Sequence, residues 1–310
     1  MAEPTVFSDT FLAFGSHCDV VLPNVEATEA KKIFQQIKTE MEQLESSISR
    51  YSLVSDIHQI NQTEKDVWID VSEDVWEVLA IAGDFYNMSQ GAFDVSVNPL
   101  QKLWSENEQV EDNELKTVRE KCGFDKIEFD FDNKKICFRE AGLELDFGAF
   151  EKGFALDIIK PLLFEIGVKD AIVSFEEDAV LAIGKHPVGE KWPLGVRNQK
   201  SPNEFLHVFE TTNQCIFTAG TVFVRDDGEG MKERKIISPE SGRPVEGKKT
   251  VTVKADAATM GAFIANTWLI LPENDKNIIA QQLNNVEILE VEYLDDDVKT
   301  RLSIIEGEEN

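Results

Sequence analysis

Hydrophobic and polar positions follow two periods along the chain. Residues 4 to 22 alternate as extended structure with a break at Gly15-Ser16, whereas 26 to 46 places Ile33, Ile37, Met41 and Leu44 on one helical stripe. A second helix is predicted from "VSEDVWEVLAIAGDFY", with Ser72 as N-cap, acids in its first turn, and Val71 and Trp76 spaced for a hydrophobic staple. "DNELKTVREKCG" reads as a short helix closed by Gly123. In "KIEFDFDNKKICFRE", Ile127, Phe129 and Phe131 alternate, Asp132-Asn133 turns, and Ile136 and Phe138 return, which predicts a hairpin.

Further on, "DIIKPLLFEIG" continues a helix that Pro161 is expected to kink. "KDAIVSFEEDAVLAIG" reads as two strands, "WPLGVRN" as another, and 206 to 224 as one or two more. "KIISPESGRP" is turn chemistry. "KKTVTVKA" is a strand, 257 to 271 a strongly apolar helix, and "VEILEVEYLDDDVKTRLSII" a final hairpin, before a tail at 306 to 310 expected to fray. Hairpins with interspersed helices indicate an α+β architecture rather than a doubly wound sheet. With no linker or repeat, 1 to 310 reads as a single unit, two intimately packed subdomains being the alternative.

Composition narrows the partners. Of 310 residues, 58 are acidic and 31 are Lys or Arg, a net charge of -27, and this argues against nucleic acid and anionic membrane, which need a basic footprint. Cys18, Cys122, Cys137 and Cys215 are far apart, so neither a zinc site nor a disulfide framework is suggested. The start of the sequence as given has no basic segment leading into an apolar one, and no long apolar run occurs, which reads as a cytoplasmic chain. Oligomeric state stays open.

Familiar catalytic motifs are missing: no G-x-G-x-x-G, Walker loop, H-E-x-x-H or G-x-S-x-G is present, and His17, His58, His186 and His207 do not pair at helical spacing. The stretch "ELDFGAFEKGFALD" (144–157) is more suggestive. It hands an alternating run over to a helical one through Gly148, Lys152 and Gly153, and helix N-termini at such joints are ready anion sites.

Five segments together carry a resemblance. "ISRYSLVSDIHQIN" (48–61) resembles the S-R-F/Y, S-E-I, L-N pattern of the ApbE family, the FAD:protein FMN transferases. "SQGAFDVSVNPLQKLW" (89–104) is similar to its T-G-G-A-F-D-P-T-V-G-P-L-x-x-L-W, and "LDFGAFEKGFALD" (145–157) to its D-L-G-G-I-A-K-G-Y-A-V-D. "FTAGTVFVR" and "RKIISPESGRPV" stand where the family has T-S-G-D-Y-E-R and H-I-I-D-P-x-T-G-x-P. The resemblance implies cleavage of FAD at its pyrophosphate and transfer of FMN to a threonine of a target flavoprotein, assisted by Mg²⁺. It further implies that Phe14 and Tyr51 lie against the flavin or adenine, and that Ala92, Phe93 and Asp94 line the FAD pocket. Asp146 would sit near the reacting end as the catalytic residue, Lys152, Lys235 and Ile236 beside the cofactor, and the Ala149 carbonyl facing the metal.

The departures from the family pattern are as informative. Its remaining metal ligands, an Asp and a Thr in A-D-A-L-A-T, fall at Ala262 and Asn266 when "TVTVKA" and "TWLILPEN" are aligned without gaps, so no metal is expected there. Using Asp256 and Thr259 instead breaks both anchors. L-V-N-L-G-G-D has become "IVSFEED", placing Glu176 and Glu177 where they would repel a diphosphate, and Lys235 and Ser238 replace the His and Asp of H-I-I-D-P. Without the resemblance, Phe14, Tyr51 and Phe93 read as core aromatics, Asp94 and Asp146 as caps, and Lys152 as a solvated charge. Three functions remain: an active transferase, a catalytically impaired flavin binder, and an interaction module on this scaffold that binds no flavin. Convergence of Arg50, Lys152 and Lys235 on one cleft favours binding; an acidic cleft excludes it.

Overall fold

The computed structural model describes residues 5–50, 52–176, 178–224 and 230–307; Tyr51 and Glu177 lie outside the described residues. The chain opens with a hairpin of β1 (Val6–Ala13) and β2 (Ser16–Pro23), then α1 (Ala27–Ile48), the short α2 (Asp56–Ile60), β3 (Trp68–Asp70), α3 (Glu73–Met88), α4 (Asn98–Glu106) and α5 (Asp112–Arg119). β4 (Ile127–Asp130) and β5 (Lys135–Phe138) follow, then α6 (Glu151–Ile166), β6 (Ala171–Phe175), β7 (Ala179–Ile183), β8 (Trp192–Asn198), β9 (Ser201–Thr211) and β10 (Gln214–Gly220). β11 (Val222–Val224), β12 (Met231–Glu233), β13 (Lys249–Ala255), α7 (Ala258–Ile270), α8 (Glu273–Ala280), β14 (Val286–Tyr293) and β15 (Val298–Ile305) complete it.

One eight-stranded sheet organises the molecule, in the order β1-β2-β6-β7-β10-β13-β14-β15, and every neighbouring pair is antiparallel. The order rises monotonically with sequence, so everything else is an excursion between adjacent strands. Between β2 and β6 come the helices α1 to α6 and the small β3-β5-β4 sheet. These features are those of an α+β protein.

Alternation along the strands sends side chains into two cores. On β10, Cys215, Phe217 and Ala219 face the main core while Ile216 joins Phe209, Leu289, Val291 and Tyr293 beneath the β8–β9 hairpin. The helical side is dominated by α7, whose residues are buried almost all round, as expected of a helix enclosed by others and a sheet. α1 buries the stripe Ala30, Ile33, Ile37, Met41, Leu44 and Ile48 against that core, and the Glu26 side chain caps its first turn by accepting from Thr28 and Glu29 N–H.

Several sequence expectations need correction. Ser72 is the N-cap residue of α3 as expected, but its hydroxyl makes no cap bond and is buried without a partner. Phe131 is exposed in a four-residue turn rather than inside β4, because Asp130 pairs with Lys135; its ring instead packs on Phe129 and Trp76. α6 continues through Pro161 as the sequence reading has it, with that residue on the exposed face of the helix. α2, α4 and α8, each nine residues or fewer, are elements the sequence reading did not separate from the connections around them, although α4 buries Leu100, Leu103 and Trp104 at helical spacing. Among the described residues no helix is long and apolar enough to cross a membrane.

Candidate functional site

A cleft of about 870 Å³ opens where the β1–β2 turn, the entry to α6, the C-terminal half of α7 and the end of β10 meet. Phe14, Ala92, Phe93, Asp94, Asp146, Lys152, Lys235 and Ile236 all line it, as do Ala149 and Asn266. Tyr51 lies outside the described residues, although its neighbour Arg50 is at the wall. Residues scattered over more than 200 positions of sequence are therefore gathered around one cavity of dinucleotide size.

The aromatic side of the wall serves both cleft and core. Phe14 and Gly15 form a two-residue hairpin turn with φ of 52° and 68°, a left-handed pair that suits Gly15 and costs Phe14 roughly 1 kcal/mol. Phe14 is held there edge-on to Phe175, with ring centres 6.0 Å apart, and its N–H donates to Glu45 Oε1 at 2.8 Å. Phe93 is committed to an aromatic cluster with Phe85, Phe150 and Phe263, and Asp94 accepts from Ser96 N–H at 2.8 Å. Burial pushes the Asp94 carboxyl up from its ordinary range, the Ser96 bonds opposing it.

Asp146 is the pivot of the entry to α6. Its Oδ1 accepts from Gly148 N–H at 2.9 Å and lies 3.2 Å from Arg50 Nε, while burial pushes the carboxyl up against the pull of that guanidinium. Arg50 in turn donates to Asn98 Oδ1, and Asn98 donates to Glu144 at 2.6 Å. Glu151, in the first turn of α6, was missed by the sequence reading. It is buried in the cleft wall, and burial together with the Asp146 charge pushes its carboxyl up to about 8. The available signal was that the similar family segment has alanine there.

The two candidate lysines differ. Lys152 Nζ donates to Asp178 Oδ2 at 3.0 Å, with the lysine side chain mostly buried, so it is a wall group rather than a solvated charge. Lys235 Nζ donates to the carbonyls of Trp104 at 2.5 Å and Asn107 at 3.0 Å, which anchors it to the C-terminal end of α4. That ammonium is partly spent before any ligand arrives. The turn carrying Lys235 and Ile236 is itself fixed, because Trp104 Nε1 donates to Gly242 O at 2.7 Å.

Charge in the cleft runs against that of the whole chain. Arg50, Lys102, Lys152, Arg234 and Lys235 face Asp94, Asp146, Glu151 and Asp178, five cations against four acids, and burial pushes the Glu151 carboxyl well above the ordinary carboxylate range. The expectation that Glu176 intrudes is corrected: it lines a smaller adjoining cavity of about 330 Å³, in a left-handed turn with φ of 50°.

Magnesium, implied by the resemblance, does not fit the residues present. Ala262 is fully buried and offers only a methyl group, and Asn266 Nδ2 donates to the carbonyls of Ala149 and Ala262, each at 2.9 Å. Asp256 and Thr259 serve elsewhere. The Asp256 carboxylate accepts from Gln214 and its main-chain carbonyl from Lys160, and Thr259 Oγ1 donates to Asp157, whose carboxylate caps α7 through the N–H groups of Ala258 and Thr259. Among the described residues no cluster of three His, Cys, Asp or Glu side chains could hold a metal ion.

An antiparallel α+β scaffold with a dinucleotide-sized cleft beside its main sheet defines the class. Residues 14–289 match the sequence model of the ApbE family, and the chain belongs to that family. The FAD:protein FMN transferase of Haemophilus influenzae is 23% identical over 286 residues, spanning 88% of this chain and 82% of that protein. The Vibrio cholerae FAD:protein FMN transferase is 22% identical over 281 residues, spanning 87% and 82%. The solved flavin transferase ApbE from Vibrio cholerae superposes with a TM-score of 0.81 at 20% identity over 97% of each chain. The apo form of the Pseudomonas stutzeri flavinyl transferase ApbE gives 0.82 at 21% identity, over 98% of this chain and 96% of that one. The likeness of these structures establishes the shared fold.

Proposed function

We propose that this chain binds FAD in the 870 Å³ cleft as a flavin-binding member of its family, impaired in the FMN transfer for which its relatives are named. The observation that carries this reading is the gathering of five Lys and Arg side chains on the wall of that cleft in a chain of net charge -27. A dinucleotide brings two phosphate charges, and Lys152 and Arg50 stand at the entry to α6 to receive them. The apolar wall of Phe14, Phe93, Ile236 and Ile270 suits flat rings. Asp146, already paired with Arg50, is placed to orient that guanidinium toward phosphate.

Equilibrium binding of FAD, followed by flavin fluorescence and calorimetry, tests the proposal. Saturable binding is expected, with riboflavin weaker by about tenfold or more because it lacks the diphosphate, and Lys152→Ala costing FAD a similar factor, ~1.4 kcal/mol. A folded protein that shows no saturable FAD binding would remove this reading and leave a scaffold acting through its surface.

A further inference from the structure

The Asn266 amide bears on what the cleft requires in order to work. Its nitrogen has two hydrogens and meets two carbonyl oxygens, Ala149 O and Ala262 O, at 2.9 Å each. Turning the amide over would set Oδ1 against both of those oxygens, so the donor pattern fixes its orientation. The side chain thereby clips α7 to the turn that opens α6, using the main-chain oxygen that the family resemblance directs toward a cation. An N–H pointing at that carbonyl places partial positive charge where a cation would need the lone pair. The buried methyl of Ala262, one helical turn back, supplies no charge to hold an ion.

We propose that Asn266 takes the place of the divalent cation: its amide ties the Ala149 carbonyl to α7 and holds the cleft in ligand-receiving form, so that the ligand binds without metal. The ligand half of this statement rests on the flavin reading above; the metal half does not. Phosphate charge is then met by Lys152 and Arg50, which donate hydrogen bonds, rather than by a coordinated ion.

The test uses the full chain with Mn²⁺ as probe, followed by electron paramagnetic resonance with and without FAD, beside FAD titrations in EDTA and in millimolar Mg²⁺. Wild-type chain is expected to show no saturable Mn²⁺ site, and FAD affinity in the two buffers should agree within about twofold, well under the tenfold that ~1.4 kcal/mol of metal coupling would give. Asn266→Asp and the pair Ala262→Asp with Asn266→Thr place oxygen ligands on the Ala149 carbonyl and should each acquire a Mn²⁺ site. The same variants should melt at higher temperature when Mg²⁺ is added, whereas the wild type should not respond. A saturable Mn²⁺ site in the wild type, or FAD binding tightened tenfold or more by Mg²⁺, would overturn the proposal by showing that the amide yields to a metal. If the wild type binds no FAD in either buffer, the flavin reading fails, and the Mn²⁺ titration alone decides the role of Asn266.

Discussion

Glu151 shows how one side chain sets a property of the whole protein. In the folded chain burial and the neighbouring Asp146 hold its carboxyl up to about 8, whereas in the unfolded chain it titrates near 4.5. Between those values the native state keeps a proton that the unfolded state releases. Stability is therefore fully present below pH 4.5 and declines as pH rises toward 8, by at most about 5 kcal/mol from this residue. Glu151→Gln keeps the shape and removes the titration. Urea unfolding at pH 5 and pH 8 should show a smaller loss for this variant than for the wild type; equal losses would mean that Glu151 is solvated. Phe14 and Glu176 are also decided at this scale, since both occupy left-handed backbone that glycine would enter more cheaply. Phe14 accepts that strain where it borders the cleft, and Glu176 stands where the similar segment has glycine.

Among the elements, the crossing of α6 and α7 governs the site. Gly153 lies at the contact, where an added Cβ would come within 2.7 Å of the Ala258 carbonyl oxygen, a main-chain atom with little room to move. Its neighbour Lys152 projects into the cleft, and Asp157, one turn further along α6, caps α7. The same helix thus positions a cation and orders the start of the helix that carries Asn266. Gly153→Ala should separate the two helices, destabilise the fold by about 1–3 kcal/mol and weaken FAD binding as well. Thermal melts and flavin titrations on the one variant check both effects. Full stability with unchanged affinity would show that the crossing can open at no cost.

For the whole molecule, the main hydrophobic core runs from Phe11 near one end to Ile288 near the other, and the core beneath the β8–β9 hairpin shares strands β10 and β14 with it. One calorimetric unfolding transition is accordingly expected, and two resolved transitions would identify subdomains instead. Self-repulsion at net charge -27 opposes this core, and screening relieves it. The melting temperature should rise with added sodium chloride through the range of about 0.02 to 0.2 M, where the Debye length falls from roughly 20 Å to below 10 Å. A melting temperature indifferent to salt would mean that the acids are spaced widely enough not to interact.

Local pattern determined much of this protein by itself. The helices α1, α3 and α7 and the strands β8, β13 and β14 follow from periods read in order along the chain, because burial of one face, or of all faces, is written into side-chain spacing. The resemblance in five short segments pointed to the family and to most of the cleft lining, including Lys152 and Ile236. Pairing and orientation were not legible. That Lys235 would be spent on α4 carbonyls, that Glu176 would line a neighbouring cavity and that Glu151 would be buried as an acid depend on where distant elements cross. The sequence could place asparagine at position 266 and alanine at 262, but only the packing of α7 on α6 brings the amide nitrogen to the Ala149 carbonyl. Hydrogen bonds and ion pairs are decided over a few ångströms between residues more than a hundred positions apart, and no one-dimensional period encodes that distance.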